Sequence, residues 1–229
     1  MEKIIILNNK MNLEYDEVHN YINKLNNIET NNSIIICPSS IYLESFINNS
    51  SWGIGSQDVY YRTNGDFTGE ISTTQLKSLG IEYSLIGHYE RKKYFKESNK
   101  MINKKLNACI DSNICPILCF GETGNIEDIK SSLDVLLNGI DNINFIIFAY
   151  EPLMLENIPT PEQISEYIDS IYDYLYNKYK TKPNIVYGGG VSDNNIKDIL
   201  KIEKLNGVLI GSISTNIDKI EKIIKESNN

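Results

Sequence analysis

Short apolar runs alternate with amphipathic segments along the whole chain, and this alternation constrains the fold more than any other feature. The apolar runs fall at residues 4–7, 33–37, 52–59, 83–88, 114–120, 144–149, 184–187 and 207–210. They are nearly continuous rather than alternating, the pattern of strands buried on both faces. The segments between them carry helical periodicity. Val18, Tyr21, Ile22 and Leu25 share one face, as do Ile126, Ile129, Leu133, Leu136 and Leu137, and again Ile164, Ile168, Ile171 and Leu175. His19 lies off the first stripe and reads as a solvated helix residue. Shorter helices are expected at 41–47, at 72–79 (closed by Gly80), up to 107, at 193–202 after Ser192, and at 217–225. Strand-helix alternation means parallel strands covered by helices. About eight units in a chain of this length predict one (β/α)8 barrel, an α/β fold forming a single domain over residues 1–229 with no linker. A doubly wound open sheet is the competing topology, but the first strand is not followed by a GxGxxG turn.

Composition narrows the partners. The net charge is −8 with no basic cluster, so nucleic acid and anionic membrane are poor partners, while a local field can still favour a small anionic substrate. Of the four cysteines, Cys37, Cys115 and Cys119 sit in apolar runs; together with Cys109 they read as reduced core thiols. Two histidines and no HExxH or CxxC give no protein-held metal. The apolar run at 4–7 is far too short for a signal peptide or membrane span, and a cytoplasmic location is expected.

The run at 144–149 leads directly into Tyr150-Glu151-Pro152, and Thr160-Pro161-Glu162-Gln163 then opens a helix with an N-cap, a proline at the first position and a capping-box partner. Glu151 therefore stands where a buried strand ends and a loop able to close over it begins. Alone, it could equally be a structural acid paired with a lysine. The other strand ends change that balance: Asn8 and Lys10 follow the first, His88 the fourth, Gly188-Gly189-Gly190 the seventh and Gly211-Ser212 the eighth. In a barrel all of these open into one mouth. Bare glycine turns let backbone N–H groups approach a phosphate. Glu151 could remove a proton from a carbon beside a carbonyl, His88 could polarise that carbonyl, and Lys10 could offset the charge of an enediolate. The reaction class suggested is proton transfer between adjacent carbons of a phosphorylated sugar.

At these residues the chain resembles the triosephosphate isomerase family. The matching stretches are Asn8-x-Lys10-Met11-Asn12, Asn64-Gly65-x-Phe67-Thr68-Gly69-Glu70-Ile71-Ser72, Leu85-Ile86-Gly87-His88-x-Glu90-Arg91, Cys119-x-Gly121-Glu122-Thr123, Ala149-Tyr150-Glu151-Pro152, Tyr187-Gly188-Gly189 and Gly211. The resemblance implies a glycolytic and gluconeogenic enzyme that interconverts dihydroxyacetone phosphate and glyceraldehyde 3-phosphate without a cofactor. Glu151 would be the base and His88 the electrophile, roles this family is known for and which are carried over from it. Lys10 and Asn8 would bind substrate, with Glu90 supporting Lys10. Gly190, Gly211 and Ser212 would give N–H groups to phosphate. Thr68, near the tip of the third loop, would reach into a second subunit, which implies a homodimer.

The departures cluster around substrate closure. The segment after the base, residues 153–159, is shorter than the family's usual lid and has no glycine. Glu156 would bring a carboxylate towards the phosphate, and at about 5 Å and an effective dielectric near 20 each like-charge pair costs roughly 3 kcal/mol. Tyr89 stands beside His88 and Gly190 stands in the phosphate turn where the family has serines; Asn9 replaces a tryptophan and reads as peripheral. Two other readings follow: an aldose-ketose isomerase for another small phosphosugar, its mouth reshaped by Tyr89 and Met154, and a non-catalytic barrel that binds a metabolite or partner. The presence of both Glu151 and His88 favours an enzyme.

Overall fold

A computed structural model describes residues 2–153 and 157–228. Its eight strands close into a parallel barrel in sequence order. They are β1 (Ile4–Asn8), β2 (Ser33–Cys37), β3 (Gly53–Ser56), β4 (Tyr83–Ile86), β5 (Cys115–Phe120), β6 (Ile147–Tyr150), β7 (Asn184–Tyr187) and β8 (Gly207–Ile210). The closing seam pairs Ile5 with Val208 and Leu7 with Ile210. Outside lie the helices α1 (Tyr15–Asn26), α2 (Leu43–Asn49), α3 (Thr73–Ser78), α4 (Tyr89–Phe95), α5 (Asn99–Asp111), α6 (Ile126–Leu136), α7 (Pro161–Tyr179), α8 (Ile196–Leu200) and α9 (Ile217–Ser227). None of the described helices is long and apolar enough to cross a membrane.

Two apolar cores follow from the two-residue period of the strands. Ile6, Ile35, Cys37, Leu85, Ile117, Cys119, Ile147, Ala149, Val186 and Leu209 fill the barrel interior. Ile5, Leu7, Phe148, Tyr150, Ile185 and Val208 face outward and pack beneath the helical stripes that the periodicity defined, including Ile164, Ile168, Ile171 and Leu175 of α7.

At three places a departure from the sequence expectation has a clear local cause. The third strand stops at Ser56 because the Gln57 side chain turns inward, donating to Lys10 O and Cys37 O. The sixth begins only at Ile147: Ile146 N–H donates to Ile143 O in a turn that leaves Phe145 largely exposed. The helical stretch after the fourth strand is two helices, α4 and α5, divided where Lys96 takes a left-handed φ of 58° and caps the first.

Candidate active site

The interior alternation carries straight into the mouth. In β6, Ile147 and Ala149 face inward, so the next inward position is Glu151. In β1 the inward series Ile6 leads to Asn8, in β7 Val186 leads to Gly188, and in β8 Leu209 leads to Gly211. His88 breaks this count by one residue. Gly87, with φ 72°, turns the chain so that His88 becomes the N-cap of α4.

Glu151 is buried, and its Oε1 lies 3.6 Å from His88 Nε2. On the other side of the imidazole, the Glu90 N–H donates to His88 Nδ1 at 3.3 Å. Glu90 Oε2 lies farther from that nitrogen, at 3.6 Å. An Nδ1 that accepts from an amide carries a lone pair, which leaves the ring proton on Nε2, facing Glu151. Burial pushes the Glu151 carboxyl above its ordinary value, and the opposing effects of His88, the Cys119 thiol and Lys10 do not cancel it. Glu151 Oε2 has no hydrogen-bond partner among the described residues. A desolvated carboxylate with an unsatisfied oxygen is costly to fold around, and such groups cluster where proton transfer is required.

Room for that side chain comes from Gly188. A Cβ there would lie 2.7 Å from Glu151 Cγ and 3.1 Å from Oε1.

Lys10 reaches the same space by a different route. Its φ is 53°, a left-handed conformation that costs a non-glycine residue about 1–3 kcal/mol and persists only where the surroundings impose it. Here the Lys10 N–H donates to Asn8 Oδ1 at 3.0 Å, and Lys10 O accepts from Ser39 Oγ and Gln57 Nε2. The side chain passes over Gly211, where a Cβ would stand 3.1 Å from Lys10 Cε, and its ammonium pairs with Glu90 Oε1 at 2.6 Å.

Of the residues singled out in the sequence, Glu151, His88, Glu90, Lys10, Asn8 and Gly211 thus come together. Ser212 lies exposed beside Gly211, and Gly190, with φ 68°, lies beneath Ile158. Thr68 is exposed on the third loop, whose Tyr60 and Phe67 rings lie 4.8 Å apart. Tyr89 is partly buried on α4, with Lys93 Nζ 5.6 Å from its ring centroid. Met154 and Glu156, on which the altered-lid arguments turn, lie outside the described residues. Asn9 is buried rather than peripheral in the packing, and it bonds to Tyr21 and Ser214. Among the described residues no group of His, Cys, Asp or Glu is placed to hold a metal ion.

Sequence reasoning missed a charged cluster beneath α4. Lys105, fully buried, pairs with Asp58 and Glu97, and both of these also pair with Arg91, the residue after Glu90. A lysine within the Ile102-Leu106-Cys109 stripe of α5 was the available signal, since a buried ammonium needs acidic partners. At the opposite end of the barrel a cleft of about 620 Å³ opens between Lys3, Asn32, Lys197 and Glu226, but Lys197 and Glu226 already pair with each other there.

A sequence model described as Triosephosphate isomerase matches residues 3–227. The chain is 33% identical over 244 residues to the triosephosphate isomerase of Aquifex aeolicus, covering 98% of this chain and 99% of that one. It is 34% identical over 243 residues to the enzyme of Thermodesulfovibrio yellowstonii, covering 98% and 99%, and 34% identical over 244 residues to that of Orientia tsutsugamushi (strain Ikeda), covering 98% of each. With a match over nearly its full length and the strand-end residues gathered in one barrel mouth, the chain belongs to the triosephosphate isomerase family.

Proposed function

We propose that this family member carries the family's activity, the interconversion of dihydroxyacetone phosphate and glyceraldehyde 3-phosphate, through the following division of labour. Glu151 takes the proton from the carbon beside the carbonyl. The Nε2–H of His88 donates to the carbonyl oxygen and holds the negative charge that develops there. The Lys10 ammonium adds positive charge at the enediolate, a proton passes from one enediol oxygen to the other by way of His88 Nε2, and Glu151 returns its proton to the neighbouring carbon. N–H groups of Gly190, Gly211 and Ser212 hold the phosphate, with Asn8 fixing the Lys10 backbone. The observation that carries this reading is the 3.6 Å approach of a desolvated carboxylate to a histidine whose other nitrogen is occupied by an amide.

The working unit is a homodimer of one-domain barrels in the cytoplasm. Large apolar side chains are exposed on the loops that follow the first three strands and on α4: Met11 at 92%, Ile41 at 79%, Phe95 at 66%, with Tyr94 and Phe67. An array of this kind marks an interaction surface, and a second copy whose Thr68 loop enters the neighbouring mouth would cover it. Ile158 over Gly190, in a phosphate turn that has no serine hydroxyl, favours a different small phosphosugar as the second reading. Steady-state turnover of dihydroxyacetone phosphate by the protein and by Glu151→Gln tests the main reading. A loss of about 10²–10⁴-fold with unchanged folding is expected. Turnover that survives the substitution would remove Glu151 as the base.

A further inference from the structure

We infer that Ser214, Asn9 and Tyr21 form a buried strut that positions the phosphate turn after β8, making Ser214 and Tyr21 positioning residues for the anion site. The inference rests on the phosphosugar reading of the mouth. Gly211 opens a turn closed by the Ser214 N–H, which donates to Gly211 O at 3.0 Å. Ser214 is fully buried, and its Oγ donates to Asn8 O at 2.7 Å, tying the end of this turn to the end of β1. Ser214 O in turn accepts from the Tyr21 hydroxyl of α1 at 2.6 Å. Asn9 Nδ2 donates to both Tyr21 Oη (3.1 Å) and Ser214 Oγ (3.4 Å).

The bonds that tie Ser214 to Asn8, Asn9 and Tyr21 join residues about two hundred positions apart in sequence, at the seam where the barrel closes. One side of the seam carries Asn8 and Lys10; the other carries Gly211 and Ser212. The strut therefore fixes where the Gly211-Ser212 amides stand relative to the end of β1, while Lys10 is held separately through Asn8 Oδ1, Ser39, Gln57 and Glu90. Its polar character is costly: Asn9 Oδ1 is buried with no partner among the described residues. An apolar side chain would fill the space without that cost, but it could not fix the turn through directional bonds. None of the three side chains need touch substrate.

The strut acts on phosphate, so its loss should weaken phosphorylated ligands selectively. Ser214→Ala removes the bond to Asn8. Tyr21→Phe removes the bond to Ser214 O and keeps the ring against Phe46, 6.2 Å away. Inorganic phosphate binding is measured by calorimetry for the full chain and both variants, together with kcat/KM for glyceraldehyde 3-phosphate and for unphosphorylated glyceraldehyde. The dissociation constant for phosphate should rise about five- to tenfold and kcat/KM for the phosphorylated triose should fall by a similar factor, while glyceraldehyde turnover stays within about twofold. If Ser214→Ala does not fold, Tyr21→Phe decides alone. Unchanged phosphate binding, or equal losses on both trioses, overturns the strut and leaves the phosphosugar reading standing. Failure of the unsubstituted protein to bind phosphate overturns that reading and the strut with it.

Discussion

Replacing Gly188 with alanine should misplace the base while leaving the barrel folded. The added Cβ would lie 2.7 Å from Glu151 Cγ and 3.3 Å from Cδ. Carbon atoms rest at about 3.5–4.0 Å, so one partner must move by about 1 Å. The backbone cannot supply that movement cheaply: Glu151 N–H is bonded to Phe120 O and Gly188 N–H to Tyr150 O, both at 2.9 Å. Gly188 is not in the left-handed region, so alanine strains no dihedral there. The carboxylate is left to swing away. A misplacement of about 1 Å costs a catalytic group on the order of 10²-fold, or about 2.7 kcal/mol of barrier. Overpacking costs about 1–3 kcal/mol of stability. Steady-state kinetics in both directions and a thermal melt check this. The expected result is kcat down about 100-fold, KM within about threefold because the amides proposed to hold phosphate belong to Gly190, Gly211 and Ser212 rather than Gly188, and a modestly lowered melting temperature. A kcat within about threefold of the parent would refute the claim that Gly188 sets the position of the base.

Glu151→Gln should also change the pH dependence of stability. Burial raises the Glu151 pKa, so as pH climbs past the ordinary 4.5 the unfolded chain gives up its proton first and stability falls until the folded-state pKa is passed. Urea titrations should find the variant gaining on the parent above about pH 5 and losing that gain below pH 4; a pH-independent difference would contradict the raised pKa. Lys105→Met strips the shared cation from Asp58 and Glu97 and should cost about 3–5 kcal/mol by denaturant titration. Burial acts to raise Glu97, but hydrogen bonds from Lys105 and Arg91 hold it below its ordinary 4.5, so its stabilising contribution is present above that pH and lost as pH falls through the lowered value. If the proposed homodimer forms through the exposed apolar face, Met11→Asp, which puts a charge into it, should shift sedimentation towards monomer at micromolar concentration, and a monomeric parent would overturn the dimer proposal.

Repeating strand-helix periodicity made the barrel legible, because burial on both strand faces leaves an almost continuous apolar signal. The same two-residue count places Glu151, Asn8 and Gly211 in the mouth. It fails for His88, which arrives there only because Gly87 turns the chain through a positive φ. Boundaries blurred where side chains end a strand by bonding elsewhere, as Gln57 does after β3. What stayed hidden was non-local. Nothing near Asn9 in sequence announces Ser214, and Lys105 betrays only that some acid must meet it, not that Asp58 and Glu97 do. The steric role of Gly188 likewise depends on a side chain of the neighbouring strand.

The most direct test of the account is proton NMR of dihydroxyacetone phosphate with the purified protein in D2O. With Glu151 as base and His88 as electrophile, glyceraldehyde 3-phosphate should form carrying deuterium at the reacting carbon, and Glu151→Gln should slow both product formation and labelling by about 10²–10⁴-fold. Neither exchange nor product from the unsubstituted protein would contradict the assignment of this mouth to triose phosphate isomerisation.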